Sequence, residues 1–148
     1  MPTSAQAADK DTTCTGETRE VYGNDRSVWT KAEACYQVRD DVVYPVYRFR
    51  CQYKWGGVWY SGKTCTVRME ANIQQIYGDK KTVHGHLVAG SGTGTFDVAG
   101  DRGLSCAEAA DGFAMAGGFN ADQYWDSSAE TNPHGDLPIA HIYDNVCR

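Results

Sequence analysis

The chain lacks the features that identify a membrane-spanning or nucleic-acid-binding protein. Its 148 residues contain no uninterrupted apolar run of about 18, the length that a transmembrane helix requires. Its 14 lysines and arginines are outnumbered by 19 aspartates and glutamates, and no segment is strongly basic. Because binding to phosphates needs clustered positive charge, this composition disfavours nucleic acid. We therefore expect neither a membrane nor a nucleic acid as partner.

Motifs of nucleotide binding and of zinc ribbons are also missing. Residues 90–94, Gly-Ser-Gly-Thr-Gly, are similar to a phosphate-binding loop, but no Gly-Lys-Ser or Gly-Lys-Thr accompanies them. The residues that follow are typical of a strand, whereas a phosphate loop leads into a helix N-terminus. We interpret the segment as a flexible turn. No two cysteines have the CxxC spacing of zinc ribbons and thioredoxins.

Six widely spaced cysteines predict three disulfides and an oxidising, extracellular location. Cys106 and Cys147 are the only cysteines in the C-terminal third, so we expect them to pair. Cys51 and Cys65 fall on neighbouring strands of a predicted hairpin and form the second pair. By elimination, the third disulfide joins the two remaining residues, Cys14 and Cys35.

The N-terminal residues are consistent with export. Ala5-Gln6-Ala7 matches the small-x-small end of a signal peptide, although the apolar segment that should precede it is missing. We interpret residues 1–13 as a signal-peptide remnant and a mobile N-terminus, and residues 14–148 as a single β-rich domain held by disulfides. In general character the chain resembles small exported bacterial proteins with paired cysteines.

Hydrophobic alternation predicts a β-rich fold. Residues 47–55 alternate between aromatic or cysteine side chains and polar side chains, as in a strand. Gly56-Gly57 then predicts a two-residue hairpin turn. We expect a returning strand over residues 58–73 with a bulge at Ser61-Gly62, and two further strands over 82–88 and 93–98.

The C-terminal third carries one helix signal. Ser105 and Glu108 form a capping box, and the small and apolar residues that follow have helical spacing, which predicts a helix over 106–116. Residues 119–136 are polar and resemble a loop, and 137–146 form a last extended segment. The predicted fold is mostly β: an antiparallel β-sandwich or rolled sheet with one short helix.

Four histidines are the candidates for chemistry. His84 and His86 would point to the same side of a strand and could bind Zn²⁺ with a third ligand such as Asp136. No spacing motif supports such a site, so we predict no structural zinc and no cofactor. His134 and His141, with Tyr143 and Asp144, contain the minimum for acid–base chemistry, a histidine within reach of a partner. The alternative for the first pair is two surface histidines on a sheet, and for the second set a closing strand held by Cys147.

The tip of the predicted hairpin is the candidate binding site. Large aromatic side chains flank the Gly-Gly turn together with a lysine, and aromatic residues at exposed tips commonly anchor protein interfaces. The residues of this predicted site are Lys54, Trp55, Trp59 and Tyr60. The alternative is that a second sheet or the helix covers both faces of the hairpin, which would make these side chains part of the core.

These features favour a secreted, non-catalytic binding module whose partner is another protein, as in an adaptor subunit of an extracellular complex or an inhibitor. Nucleophile motifs and clustered acids are absent from the sequence, which favours binding over catalysis. The first alternative is a small secreted hydrolase or ribonuclease-like toxin that uses His134 or His141. The second is a carbohydrate-binding module that uses the aromatic tip. Convergence of two histidines in one concave pocket would favour the enzyme.

Overall fold

Two antiparallel β-sheets pack face to face over one hydrophobic core. The computed structural model describes residues 6–7, 11–23, 28–123 and 133–147. Most of the predicted signal-peptide remnant, including Ala5 and residues 8–10, lies outside these ranges. Within them, no helix has the length and the hydropathy needed to cross a membrane.

The first sheet contains seven described strands in the spatial order β1-β9-β4-β3-β2, with β5 and β10 also paired to β4. Their bounds are β1 Gln6–Ala7, β2 Thr13–Tyr22, β3 Val28–Arg39, β4 Val42–Trp55, β5 Val58–Tyr60, β9 Thr95–Ala99 and β10 Leu104–Ser105. Tight turns connect the long strands: Gly56 and Gly57 both have positive φ, at 58° and 83°, which confirms the predicted hairpin turn between β4 and β5.

The second sheet contains six described strands in the order β12-β11-β6-β7, with β13 also paired to β11 and β8 to β6. Their bounds are β6 Cys65–Gln75, β7 Thr82–His84, β8 Val88–Gly92, β11 Phe113–Gln123, β12 His134–Asp136 and β13 Ala140–Ile142. A single turn of helix, α1 (Cys106–Ala109), precedes β11. The fold is therefore mostly β, as the alternation predicts.

The core lies between the inward faces of the two sheets. The ring of Phe49 on β4 contacts Phe96 on β9 at 6.1 Å and Phe119 on β11 at 5.5 Å between centroids. All three side chains are buried, as are Val67 and Met69 on β6. Aromatic contacts of this kind add about 0.5–1.5 kcal/mol each beyond the burial of their surface. The contact between Phe49 and Phe119 joins the two sheets through their central strands, whereas the contact between Phe49 and Phe96 lies within the first sheet.

The predicted strand over residues 58–73 is wrong as a single element. The chain pairs with β4 only over β5, leaves the first sheet after Tyr60, and enters the second sheet at Cys65. Residues 61–64 carry out this crossing where we expected a bulge at Ser61-Gly62. The physical reason is burial. Val67 and Met69 lie on the one apolar face of the strand, and the crossing places this face toward the core.

The helix predicted over 106–116 is also too long. The capping box exists, because Ser105 Oγ accepts from the Glu108 N–H at 3.1 Å and Glu108 Oε1 accepts from the Ser105 N–H at 3.1 Å. The helix ends after four residues, and from Phe113 the chain pairs with β6 over the full length of β11. Phe113 and Met115 are buried with a period of two, so tertiary pairing overrides the helical spacing.

Two other segments differ from the sequence-based expectations. Gly90-Ser91-Gly92 is not a flexible turn but part of β8, where it pairs with residues 65–67 of β6. β11 and β12 occupy part of the predicted loop over 119–136; residues 124–132 lie outside the described ranges.

All three predicted disulfides are present, with the predicted pairing. Cys14–Cys35 joins neighbouring strands of the first sheet, and Cys106–Cys147 joins the helix to the last described residues. Cys51–Cys65 joins β4 to β6 and thus one sheet to the other. The expectation that this pair lies on adjacent hairpin strands is wrong, although the pairing itself is confirmed. The disulfides indicate an oxidising environment.

Candidate functional site

The hairpin of β4 and β5 continues past the inter-sheet disulfide and forms the candidate site. Its last residues, 53–60, are called the hairpin tip here. In its register Tyr53 lies opposite Tyr60, Lys54 opposite Trp59, and Trp55 opposite Val58. Because side chains alternate along a strand, Lys54 and Trp59 point to one side of the hairpin and the other four to the opposite side.

One side of the hairpin tip is an exposed apolar surface. Trp55 is 68% exposed, Val58 51% and Tyr60 41%. The rings of Tyr53 and Tyr60 stack with centroids 5.6 Å apart, which holds Tyr60 in one orientation. These side chains continue the inward face of the first sheet, since Tyr53 pairs with the buried Val28 on β3. Neither the helix nor the second sheet covers Trp55 among the described residues.

The other side of the hairpin tip packs against a neighbouring strand. Trp59 is partly buried, and its ring lies 6.1 Å from that of Tyr22 on β2. Lys54 Nζ lies 5.9 Å from the Trp59 ring, within the range of a cation–π contact. Trp59 therefore contributes to the local structure, whereas Trp55 is available to a partner. Sequence reasoning treated the two tryptophans alike.

The hairpin carries positive charge in an acidic protein. Residues 42–69 contain five lysines and arginines and no aspartate or glutamate. The whole chain has 14 basic and 19 acidic residues, so the remainder has 9 basic and 19 acidic residues, a net charge of −10 against +5 for residues 42–69, which run from β4 into β6. Within this segment Arg48 is paired with Asp97 at 2.8 Å and Arg68 lies on β6, so the basic residues nearest the hairpin tip are Lys54 and Lys63. An apolar side with lysines nearby is complementary to an apolar pocket with an acidic rim.

Two of the four histidines line one cavity. His84 on β7 and His141 on β13 both border a cavity of about 330 Å³ on the outer face of the second sheet. Three strand spacings separate β13 from β7, so the two backbones are roughly 14 Å apart. Both side chains nevertheless border one cavity, which is the arrangement expected of the enzyme alternative.

The lining of this cavity does not complete an acid–base site. The described side chains that border it with the histidines include amides and a hydroxyl, from Asn72, Gln74 and Thr82, but no carboxylate. A catalytic histidine is usually oriented by a carboxylate, which also stabilises the imidazolium form. The arrangement is suited to hydrogen bonding with a ligand more than to proton transfer.

The remaining histidines are placed separately. His86 lies beyond the end of β7, so the same-side pair expected with His84 does not form. Its Nδ1 lies 2.7 Å from Asp101 Oδ2, and its backbone N–H donates to Asp101 Oδ1 at 2.8 Å. Partial burial acts to raise the pKa of Asp101, but these hydrogen bonds outweigh it and lower that pKa. The hydrogen bonds between His86 and Asp101 hold the segment between β7 and β8 against residue 101.

His134 is exposed on β12, as is Asp136 two residues later. The rings of His141 and Tyr143 stack with centroids 6.5 Å apart and an interplanar angle of 13°, so the two side chains share a face. Asp144 is exposed beyond the end of β13. The set that could have formed an acid–base site is thus spread over two strands and a loop.

Within the described residues, the one cluster of potential metal ligands is Cys14, Glu33 and Cys35. Its two sulfur atoms are joined in a disulfide, so they are not thiolate ligands. The prediction that the protein has no structural zinc stays a prediction.

Comparison with profiles of protein families, with curated proteins and with solved structures finds no significant match for this chain.

Proposed function

We propose that the protein is a secreted, non-catalytic recognition module that binds another protein through the hairpin tip. The observation that carries the proposal is the exposure of Trp55, 68%, beside two other exposed apolar side chains on a hairpin with no acidic residue. Clustered, exposed aromatic side chains in a soluble protein mark interaction surfaces. The three disulfides support an extracellular location, where such a partner would be met.

The partner is expected to offer an apolar pocket with acidic residues around it. Trp55 would enter the pocket, with Val58 and Tyr60 beside it. Lys54, on the opposite side of the hairpin, and Lys63, three residues after Tyr60, would lie at the edge of this interface, where charge increases the association rate more than the affinity. Truncation of such a buried aromatic anchor costs at least about 2 kcal/mol, or roughly thirtyfold in Kd.

The test uses the exposed tryptophan and a matched control at the other end of the molecule. Tyr77, 55% exposed, follows β6 at the end remote from the hairpin tip. Wild type, Trp55→Ala and Tyr77→Ala are immobilised and exposed to the extracellular proteins of the producing cells. Each retained protein is then purified and titrated against all three by calorimetry.

A partner whose Kd rises about thirtyfold with Trp55→Ala and stays unchanged with Tyr77→Ala supports the proposal. Equal binding of every purified candidate to wild type and Trp55→Ala overturns it. Thermal melting is recorded for each variant. A loss of roughly 3–5 kcal/mol of stability in Trp55→Ala would place this ring in the core and would also overturn the proposal.

A further inference from the structure

The central strand of the second sheet has unusually small side chains on its outer face. Along β11 the outward positions are Ala114, Ala116 and Gly118, followed by Asn120. Small residues have low β-propensity, and a glycine in a strand interior costs roughly 0.5–1 kcal/mol relative to alanine. The result is a shallow depression along β11, called the trough here, about 20 Å long from Ala114 to Asn120 at the usual rise per residue.

Among the described residues, none requires a glycine at position 118. A Cβ on Gly117 would lie 2.0 Å from the backbone oxygen of Glu70, so that residue must be glycine for packing. A Cβ on Gly118 would make only one ordinary contact, 3.5 Å from the oxygen of Gly135. A glycine in a strand interior marks a bulge, a bend, or a place where a ligand or another backbone approaches closely. The absence of a side chain at position 118 leaves room for a ligand there.

Hydrogen-bonding side chains line both sides of the trough. The cavity of about 330 Å³ at Ala114 and Ala116 is bordered by side chains from β6, β7 and β13, the last of these being His141. A second cavity, of about 360 Å³, lies at Gly118 and Asn120. Exposed apolar side chains stand at the rims: Ile139 beside the first cavity, and Leu87 beside the second.

The described ionic side chains around the trough give it no excess of positive charge, which disfavours polyanions. Arg68 and Glu70 are the described ionic side chains that line its second cavity, and they balance each other. Asp136, exposed on β12, pairs with Gly118 on the side opposite Glu70, so a carboxylate stands on each side of the trough floor. Carboxylates accept strong hydrogen bonds from hydroxyl groups but repel phosphate, sulfate and carboxylate ligands.

The trough also differs from a peptide-binding edge. It lies on the face of a sheet whose backbone groups are paired on both sides of β11, so an added strand has no free ladder to extend. Recognition must come from side chains that offer amides, hydroxyls, imidazoles and carboxylates over a floor of methyl groups. A ligand that suits this lining has many neutral hydroxyl groups and flat C–H faces.

We propose that the trough binds a neutral oligosaccharide. The stacked rings of His141 and Tyr143, with Tyr143 61% exposed, add an aromatic surface next to the first cavity. This site lies on a different sheet from the hairpin tip and does not depend on the protein-binding proposal.

The experiment titrates six-unit oligosaccharides into the ¹⁵N-labelled protein and follows its amide resonances. The probes are neutral hexamers of glucose, xylose, mannose and N-acetylglucosamine, together with acidic hexagalacturonate. At least one neutral hexamer should bind with Kd below about 1 mM. The shifts should concentrate on β6, β11 and β13, and the affinity should not change with added salt.

The variant is Gly118→Leu, which fills the trough floor, and its control is Gly62→Leu. The control is matched because a Cβ on Gly62 meets nothing within 4 Å and lies outside the second sheet. Gly118→Leu should weaken binding at least about tenfold, a difference of 1.4 kcal/mol, whereas Gly62→Leu and Trp55→Ala should bind as wild type does. His141→Ala should weaken binding as well and covers the case in which the leucine disturbs folding.

Three results overturn the proposal. The first is that no neutral hexamer binds. The second is that the acidic hexamer alone binds, in a salt-dependent manner. The third is that the shifts fall on the hairpin tip and binding is lost in Trp55→Ala instead, which would make the hairpin the sugar site and leave the trough empty.

Discussion

Replacing Tyr47 by phenylalanine removes one buried hydroxyl group and leaves the ring in place. Tyr47 is fully buried on β4, and its hydroxyl donates to the carbonyl oxygen of Pro138 at 3.2 Å, 91 residues away in the chain. Pro138 is buried between β12 and β13 and precedes Ile139, which stands at the rim of the trough. The hydrogen bond therefore joins the core of the first sheet to the segment that supports the second sheet's outer face.

The expected loss of stability follows from the Pro138 carbonyl, which loses its hydrogen-bond donor. A buried acceptor without its partner costs about 1–3 kcal/mol, because the lost hydrogen bond is not replaced by water. For a domain of this size, this corresponds to a fall of about 2–12 °C in Tm. The control is Tyr44→Phe on the same strand: Tyr44 is only partly buried and its ring contacts Arg39, so its loss should stay within about 0.5 kcal/mol.

The same hydroxyl gives the variant a distinctive dependence on pH. Burial raises the pKa of Tyr47 far above its usual range. The folded state keeps the phenolic proton in alkali, while the unfolded chain releases it near its ordinary pKa of about 10. The unfolding free energy of wild type therefore falls as pH rises above about 10 through the ionisation of this group, and that of Tyr47→Phe does not fall for this reason. The difference in unfolding free energy between wild type and Tyr47→Phe should be about 1.4 kcal/mol smaller at pH 11 than at pH 9.

Urea unfolding, followed by fluorescence with the disulfides intact at pH 7, 9 and 11, measures both effects. The reasoning is refuted if Tyr47→Phe is as stable as wild type at pH 7. It is also refuted if the difference between the two proteins is the same at pH 9 and pH 11. The other tyrosines titrate in both proteins and cancel in the comparison.

Two further predictions concern stability. Removing the inter-sheet disulfide in the variant Cys51→Ala/Cys65→Ala should cost about 3 kcal/mol of unfolding free energy, from the 14-residue separation that it closes; a loss below about 1 kcal/mol in urea unfolding would contradict the entropic account. In Asp101→Asn the hydrogen bonds from His86 no longer stabilise a carboxylate. Those bonds lower the pKa of Asp101, so their contribution to stability is present at neutral pH and disappears as pH falls through that lowered value. The variant should therefore be less stable than wild type at pH 7 but equal to it in strong acid. An equal difference in unfolding free energy at both pH values would contradict this.

The parts of the fold that could be predicted from sequence are those set by local pattern. The alternation along β4 and the Gly56-Gly57 turn each have one favoured local structure, and both predictions are confirmed. The path after Tyr60 could not be predicted, because Ser61-Gly62 is compatible both with a bulge in one sheet and with a crossing to another. Burial of the apolar side of β6 decides between them, and that depends on the whole sandwich.

The helix shows the same limit at the other end of the chain. Residues 106–116 contain a capping box and small residues that fit both a helix and a strand. The capping box starts a helical turn that ends at its C-cap, Ala110. Gly112, with φ of 128°, follows it, and pairing with β6 begins at Phe113. Because residues 110–116 were assigned to a helix, Ala114 and Ala116 could not be recognised as the floor of a trough.

Exposure of the candidate site could not be predicted either. Alternation shows that Trp55 and Trp59 lie on opposite sides of the hairpin, but which side is covered depends on β2, whose Tyr22 packs on Trp59. The charge pattern was available in the sequence: residues 42–69 contain no acidic residue. Read together with the hairpin signal, this absence would have pointed to the same surface.

The positions of the two proposed surfaces allow both ligands to bind at once. The hairpin tip extends the inward face of the first sheet beyond the core, whereas the trough occupies the outer face of the second sheet. A ligand on one surface therefore leaves the other accessible, and variants at separated sites usually have additive effects. In Trp55→Ala/Gly118→Leu we expect each change to weaken only its own binding, so that the losses of affinity in the double variant equal those in the single ones. Loss of sugar binding in Trp55→Ala, or of protein binding in Gly118→Leu, would show instead that the two surfaces form one site.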